Sequence, residues 1–69
     1  MGEKLKTLTA REWEVLRLAG GGRSNKQIAR TLKIREKTVE GHLREVFGKL
    51  EVSSRAELLV FLHKRHLEP

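Results

Sequence analysis

A chain of 69 residues is one small domain, and a domain this size buries only about 60% of its unfolded surface, which leaves its core marginal alone. It has no cysteine and no aspartate, so disulfides, thiolate metal sites and the Ser-His-Asp or Cys-His arrangements of nucleophilic catalysis are excluded. The net charge of +6 is concentrated: between Glu14 and Glu36 there is no acid but six cations, Arg17, Arg23, Lys26, Arg30, Lys33 and Arg35, equal to the whole excess.

After a lead at 1–7, the stretch Leu8-Thr9-Ala10-Arg11-Glu12-Trp13 reads as a helix start. Thr9 is placed to cap, with Glu12 three residues on completing a capping box and Leu8 positioned to staple onto Trp13. Val15, Leu16 and Ala19 continue the helix until the glycines at 20–22 end it. Those glycines lack the Lys-Ser/Thr ending of a phosphate loop and read as a turn. A second helix begins at Ser24, with Gln27 as its capping-box partner. Ile28, Ala29 and Leu32 form its inner face; Lys26, Arg30 and Lys33 form a cationic stripe. Lys33-Ile34-Arg35 is then a tight turn with Ile34 pointing inward.

The third helix, at 36–50, is the longest. Val39, Leu43, Val46, Phe47 and Leu50 give it a 3.6-period apolar face, while Lys37, Glu40, Gly41, Arg44, Glu45 and Gly48 lie mostly opposite. Ser54 and Glu57 read as a third capping box, opening a fourth helix at 55–66 before a tail at 67–69. Ala56, Leu58, Leu59, Val60, Phe61 and Leu62 make that helix apolar nearly all round, which calls for a partner in so small a domain. No strand signal competes. The expected class is all-α: a compact four-helix domain, 1–69, containing a helix-turn-helix.

Two helices joined by a three-residue turn, the second longer, form that arrangement. The small Ala29 lets the helices cross closely, Ile34 plugs the turn and Val39 locks the second against the first. In its DNA-binding form the second helix enters the major groove while the first crosses the backbone. A cationic stretch is compatible with a merely solvated face. Here Lys26, Arg30 and Arg35 fall where phosphates lie, so charge and topology agree on a polyanion footprint.

At this level of detail the chain resembles the LuxR/GerE-type helix-turn-helix family, as found in NarL-like response-regulator effector domains and free-standing GerE-like regulators. The resemblance rests on LTAREWEVLRL, SNKQIARTL, KTVEGHLREVFGKLEV and SSRAEL and covers 8–63. It implies a transcription regulator that binds double-stranded DNA and dimerises through its last helix. By motif it puts Glu40, Gly41 and Arg44 at base-reading positions. Thr38, His42, Lys49, Asn25 and Lys26 match positions at the DNA backbone, with Lys37 beside Thr38 in the same motif. The sequence departs from the family pattern in four places. Lys33 stands where the turn usually has glycine, so a lysine is expected at φ > 0. Arg35 replaces a capping Ser or Thr, at a cost of ~1 kcal/mol. Glu40 and Gly41 replace larger or basic residues, and Glu51 follows Lys49-Leu50 where glycine is common.

A glycine in a helix interior costs about 1 kcal/mol against alanine. Gly41 is either a tolerated solvent-facing glycine or one that permits close backbone approach to a groove floor; the motif favours the second. His63 and His66 lie three apart, but without nearby carboxylates or thiolates they read as residues favourable to a helix C-terminus, not as metal ligands. No metal, cofactor or enzymatic role is expected. No apolar run approaches the ~20 residues of a membrane span, and the N-terminus has no signal-peptide core, so the expected location is cytoplasmic. The expected assembly is a homodimer with its seam drawn from Leu58, Leu59 and Leu62, some of which are necessarily used by the core instead. The alternatives are a sigma-factor region-four-like module contacting RNA polymerase, and a protein-interaction module that kept the fold but lost its operator. Glu36, Glu40 and Glu45 speak for the latter.

Overall fold

A computed structural model describes residues 7–65, and every regular element among them is an α-helix. Helix α1 spans Ala10–Gly20, α2 Asn25–Leu32, α3 Glu36–Leu50 and α4 Arg55–Lys64. The expectations for residues 1–6 and 66–69, including His66, lie outside the described residues.

The starts follow the local chemistry closely. Thr9 accepts from the Glu12 amide at 3.1 Å while Glu12 accepts from the Thr9 amide at 3.0 Å. Ser24 and Gln27 repeat the exchange at α2. The α4 start differs from the expected capping box. Ser54 does accept from the Glu57 amide, but the Glu57 carboxylate takes the Ser53 amide instead of the cap residue's own. Ser54 at φ −153° is more extended than the other two caps, and Glu57 reaches one residue further back. Arg35 precedes α3 without a side-chain cap, as the missing hydroxyl requires. At the expected staple, Leu8 packs against the core and Trp13 is 38% exposed.

Three helices end in the same way. Gly22, Lys33 and Glu51 sit in the left-handed region at φ 89°, 58° and 58°. The amide after each returns to a carbonyl five residues back: Arg23 to Leu18, Ile34 to Ala29 and Val52 to Phe47, at 3.0–3.1 Å. This is the Schellman ending, and in the second and third the apolar Ile34 and Val52 close it by packing on the core. Only the first of the three has the glycine that makes a left-handed residue inexpensive.

The core is continuous. Val15, Leu16 and Ala19 of α1, Ile28 and Ala29 of α2, Val39, Leu43, Val46 and Leu50 of α3, and Leu58 and Leu62 of α4 are all buried. Helix α3 lies across both α1 and α2, and α4 packs chiefly on α1. The α2–turn–α3 unit is thereby fixed as one body, with one long side of α3 facing away from everything else.

Candidate nucleic-acid interface

The outward side of α3 is a stripe at helical spacing: Lys37, Glu40, Gly41, Arg44 and Gly48. Lys37, Glu40, Arg44 and Gly48 are exposed and Gly41 is half-buried; Thr38 at the helix start is exposed beside them. A Cβ built on Gly41 meets nothing within 4 Å, and the same holds for Gly48. Packing inside the chain therefore gives no reason for glycine at position 41. Close to this stripe, Asn25, Glu40, Arg44, Phe47, Val52 and Arg55 line an open groove between α3, the α2 start and the α4 start.

Helix α2 and its flanks carry the cations. Arg23, Lys26, Arg30, Lys33 and Arg35 are all exposed, and no acid lies among them. Arg35, lacking a cap bond, is left at the mouth of α3. Asn25, the first residue of α2, is half-buried. Its Oδ1 accepts from Nη2 of Arg55 at 2.5 Å, while Nη1 of Arg55 donates to the Arg23 carbonyl at 2.9 Å. Arg55 lies within the SSRAEL stretch that carries the resemblance, but nothing in the sequence alone assigned it a task.

Two groups of expected site residues are placed differently. Lys49 turns inward. Its Nζ donates to Glu12 Oε1 at 2.7 Å and to the Thr7 carbonyl at 2.9 Å. The Glu12 side chain is 7% exposed, and an inward carboxylate needs a cation beside it more than a distant phosphate does. The Lys49 hydrogen bond, then the Thr9 amide, hold the Glu12 carboxyl below its ordinary range against the opposing effect of burial. His42 is half-buried on α3. The seam residues also divide. Leu58 and Leu62 are 0% and 2% exposed, committed to the core of their own chain. Four residues are a little over one helical turn, so these two necessarily share the inner face. Leu59 at 42% and Val60 at 53% are exposed instead. Together with His63 and Lys64 they line a shallow apolar surface on α4. No group of three or more metal-ligating side chains occurs among the described residues, and no described helix is long and apolar enough to cross a membrane.

The comparisons with known proteins agree with this geometry. A family model described as bacterial regulatory proteins, luxR family (GerE) matches residues 6–62. The chain is 43% identical over 61 residues to the transcriptional regulatory protein LiaR of Bacillus subtilis, an alignment covering 88% of this chain and 29% of LiaR. It is 40% identical over 60 residues to the nitrate/nitrite response regulator protein NarL of Escherichia coli, covering 87% and 28% respectively. With the monoamine regulon transcriptional regulator of Klebsiella aerogenes the identity is 50% over 52 residues, or 75% of this chain and 23% of that protein. The chain thus spans less than a third of the length of these curated relatives. With a family match over nearly the whole fold and a helix-turn-helix whose second helix is outwardly bare, the chain belongs to the luxR family of bacterial regulatory proteins, whose members carry this unit as their DNA-binding domain.

Proposed function

We propose that this domain binds double-stranded DNA sequence-specifically, in the cytoplasm, as the DNA-contacting part of a transcription regulator, and that two copies associate through α4. The observation that carries the reading is Gly41: a helix-interior glycine with open space where its side chain would stand, on a stripe flanked by an acid-free run of cations. The helix gains nothing from it in isolation. A groove floor pressed against the backbone does.

The division of labour follows from side-chain chemistry. Arg44 can fork onto guanine O6 and N7, a contact worth about 1–3 kcal/mol of discrimination. Glu40 can accept from cytosine N4; near phosphates it is repelled, so it serves to reject wrong sequences more than to add affinity. Lys26, Arg30, Arg35 and Lys37 contribute sequence-independent attraction, and Asn25, Thr38 and His42 add further backbone contacts. Lys49 leaves this set because Glu12 holds it. On α4, Leu59 and Val60 replace the buried leucines as the association surface, setting two half-sites about one helical turn apart.

A second reading has its own support. Glu36, Glu40 and Glu45 are all exposed on α3, which suits a protein-binding face that has lost its operator. Selection of binding sites from random duplexes, followed by affinity against salt, separates the two. DNA binding predicts a recovered palindromic site and a steep log–log salt slope. A flat slope and no recovered sequence refute the DNA reading and favour the protein-binding one. Within the DNA reading, Arg44→Ala relaxes preference at one base pair, whereas Lys26→Ala weakens all duplexes alike and reduces the slope by about 1.

A further inference from the structure

We propose that Arg55 is a positioning residue for DNA binding, acting through Asn25: it turns that amide so that its Nδ2 faces outward as a donor to a phosphate oxygen. The inference rests on Asn25 meeting the DNA backbone, as proposed above.

A guanidinium has donors only, so whatever atom it meets must be an acceptor. Nη2 of Arg55 lies 2.5 Å from the Asn25 side chain, which fixes the oxygen inward and the NH₂ group away from Arg55. An unheld amide can flip and present its oxygen instead, and that oxygen repels a phosphate. Nη1 anchors the same guanidinium to the Arg23 carbonyl, in the loop just before α2. One planar fork therefore holds both the backbone ahead of α2 and the side chain of its first residue. The two grips also explain why this is not a phosphate ligand in its own right: Arg55 is half-buried and faces two protein oxygens.

The location adds a second consequence. Arg55 lines the groove it shares with Glu40 and Arg44, and also the neighbouring one that contains Lys26 and the exposed Leu59. Helix α4 packs chiefly on α1, so this side chain is a polar link from the start of α4 to the start of α2.

The test is a double-mutant cycle on affinity for a labelled mixed-sequence duplex of about 20 base pairs at low salt, where phosphate contacts dominate. Asn25→Ala and Arg55→Lys, the latter keeping the charge but losing the fork, each weaken binding roughly tenfold, the size of one hydrogen bond to a charged group. The double variant is no weaker than either single, because both remove the same contact. Losses that multiply in the double variant overturn the inference, as does an Arg55→Lys protein that binds like the wild type. If Asn25→Ala binds normally while the wild type binds the duplex, the phosphate role of Asn25 is wrong and the inference goes with it. Wild-type protein that ignores the duplex removes the DNA reading itself. Should Arg55→Lys fail to fold, the Asn25 side-chain amide signals of the wild-type protein decide: they shift on adding duplex, and unmoved signals overturn the proposal.

Discussion

Glycine placed singly at Lys33 and at Glu51 is expected to stabilise the domain, and the size of the gain can be worked from the backbone. Both residues sit at φ 58°, ψ 43–45°, where an L side chain crowds the following carbonyl at a cost of roughly 1–2 kcal/mol. Glycine removes that cost but loses about 0.4–1 kcal/mol through the extra freedom it gives the unfolded chain. Neither substitution touches the hydrogen bonds of the ending, since they use backbone groups alone. The net gain is about 1 kcal/mol at Lys33, which in a domain of this size raises Tm by about 4–8 °C, and is smaller at Glu51, which has a further interaction to lose. Differential scanning calorimetry on the two single variants measures it. The two sites are opposite in charge, so DNA affinity moves in opposite directions: Lys33→Gly removes a cation from the α2 stripe and weakens binding, while Glu51→Gly removes an acid and does not. Stability rising together while affinity parts separates backbone strain from electrostatics. If both variants melt at or below the wild-type temperature, the left-handed endings are not strained and the reasoning fails.

Gly41→Ala raises stability by about 1 kcal/mol in urea unfolding, because the new methyl meets nothing, and weakens duplex binding; an alanine variant that binds DNA unchanged removes the groove argument. The lowered Glu12 carboxyl makes stability depend on pH in one direction. A group depressed on folding stabilises above its unfolded value, 4.5, and that share disappears as pH falls through the folded one. Urea midpoints across that range fall more steeply for the wild type than for Glu12→Gln; parallel curves contradict the assignment. Lys49→Met costs about 1–3 kcal/mol of stability and leaves the salt slope of DNA binding in place, whereas a slope reduced by one returns Lys49 to the phosphates. On α4, Leu58→Ala destabilises the monomer by about 2–5 kcal/mol, while Leu59→Glu leaves the melt unchanged and abolishes self-association in sedimentation. Equal effects on the melt mean that the inner and outer faces have been confused.

Helix starts were the most legible feature because a capping box is local: Thr9 with Glu12 and Ser24 with Gln27 need only three residues of sequence to be recognised. The core face of α3 was equally plain from its period, with Val39, Leu43, Val46 and Leu50 all buried. The reading failed where tertiary partners decide. Lys49 and Glu12 are 37 residues apart, and nothing in either neighbourhood announces that they meet. Helix α4 is apolar on every side, so periodicity could not choose which leucines turn inward; the position of α1 chose Leu58 and Leu62. Arg55 was visible as part of a motif, but its two acceptors lie 30 and 32 residues away.

The presented stripe of α3 supports nothing. Glu40 and Arg44 hold up no neighbour through any described hydrogen bond, and positions 41 and 48 stand empty. Substitution there leaves the packing of the chain untouched, changes stability only by the helix propensity of the new residue, and acts chiefly on whatever the stripe meets outside the chain. A scaffold built this way would let a target preference read by α3 drift one residue at a time, each intermediate remaining a soundly folded protein.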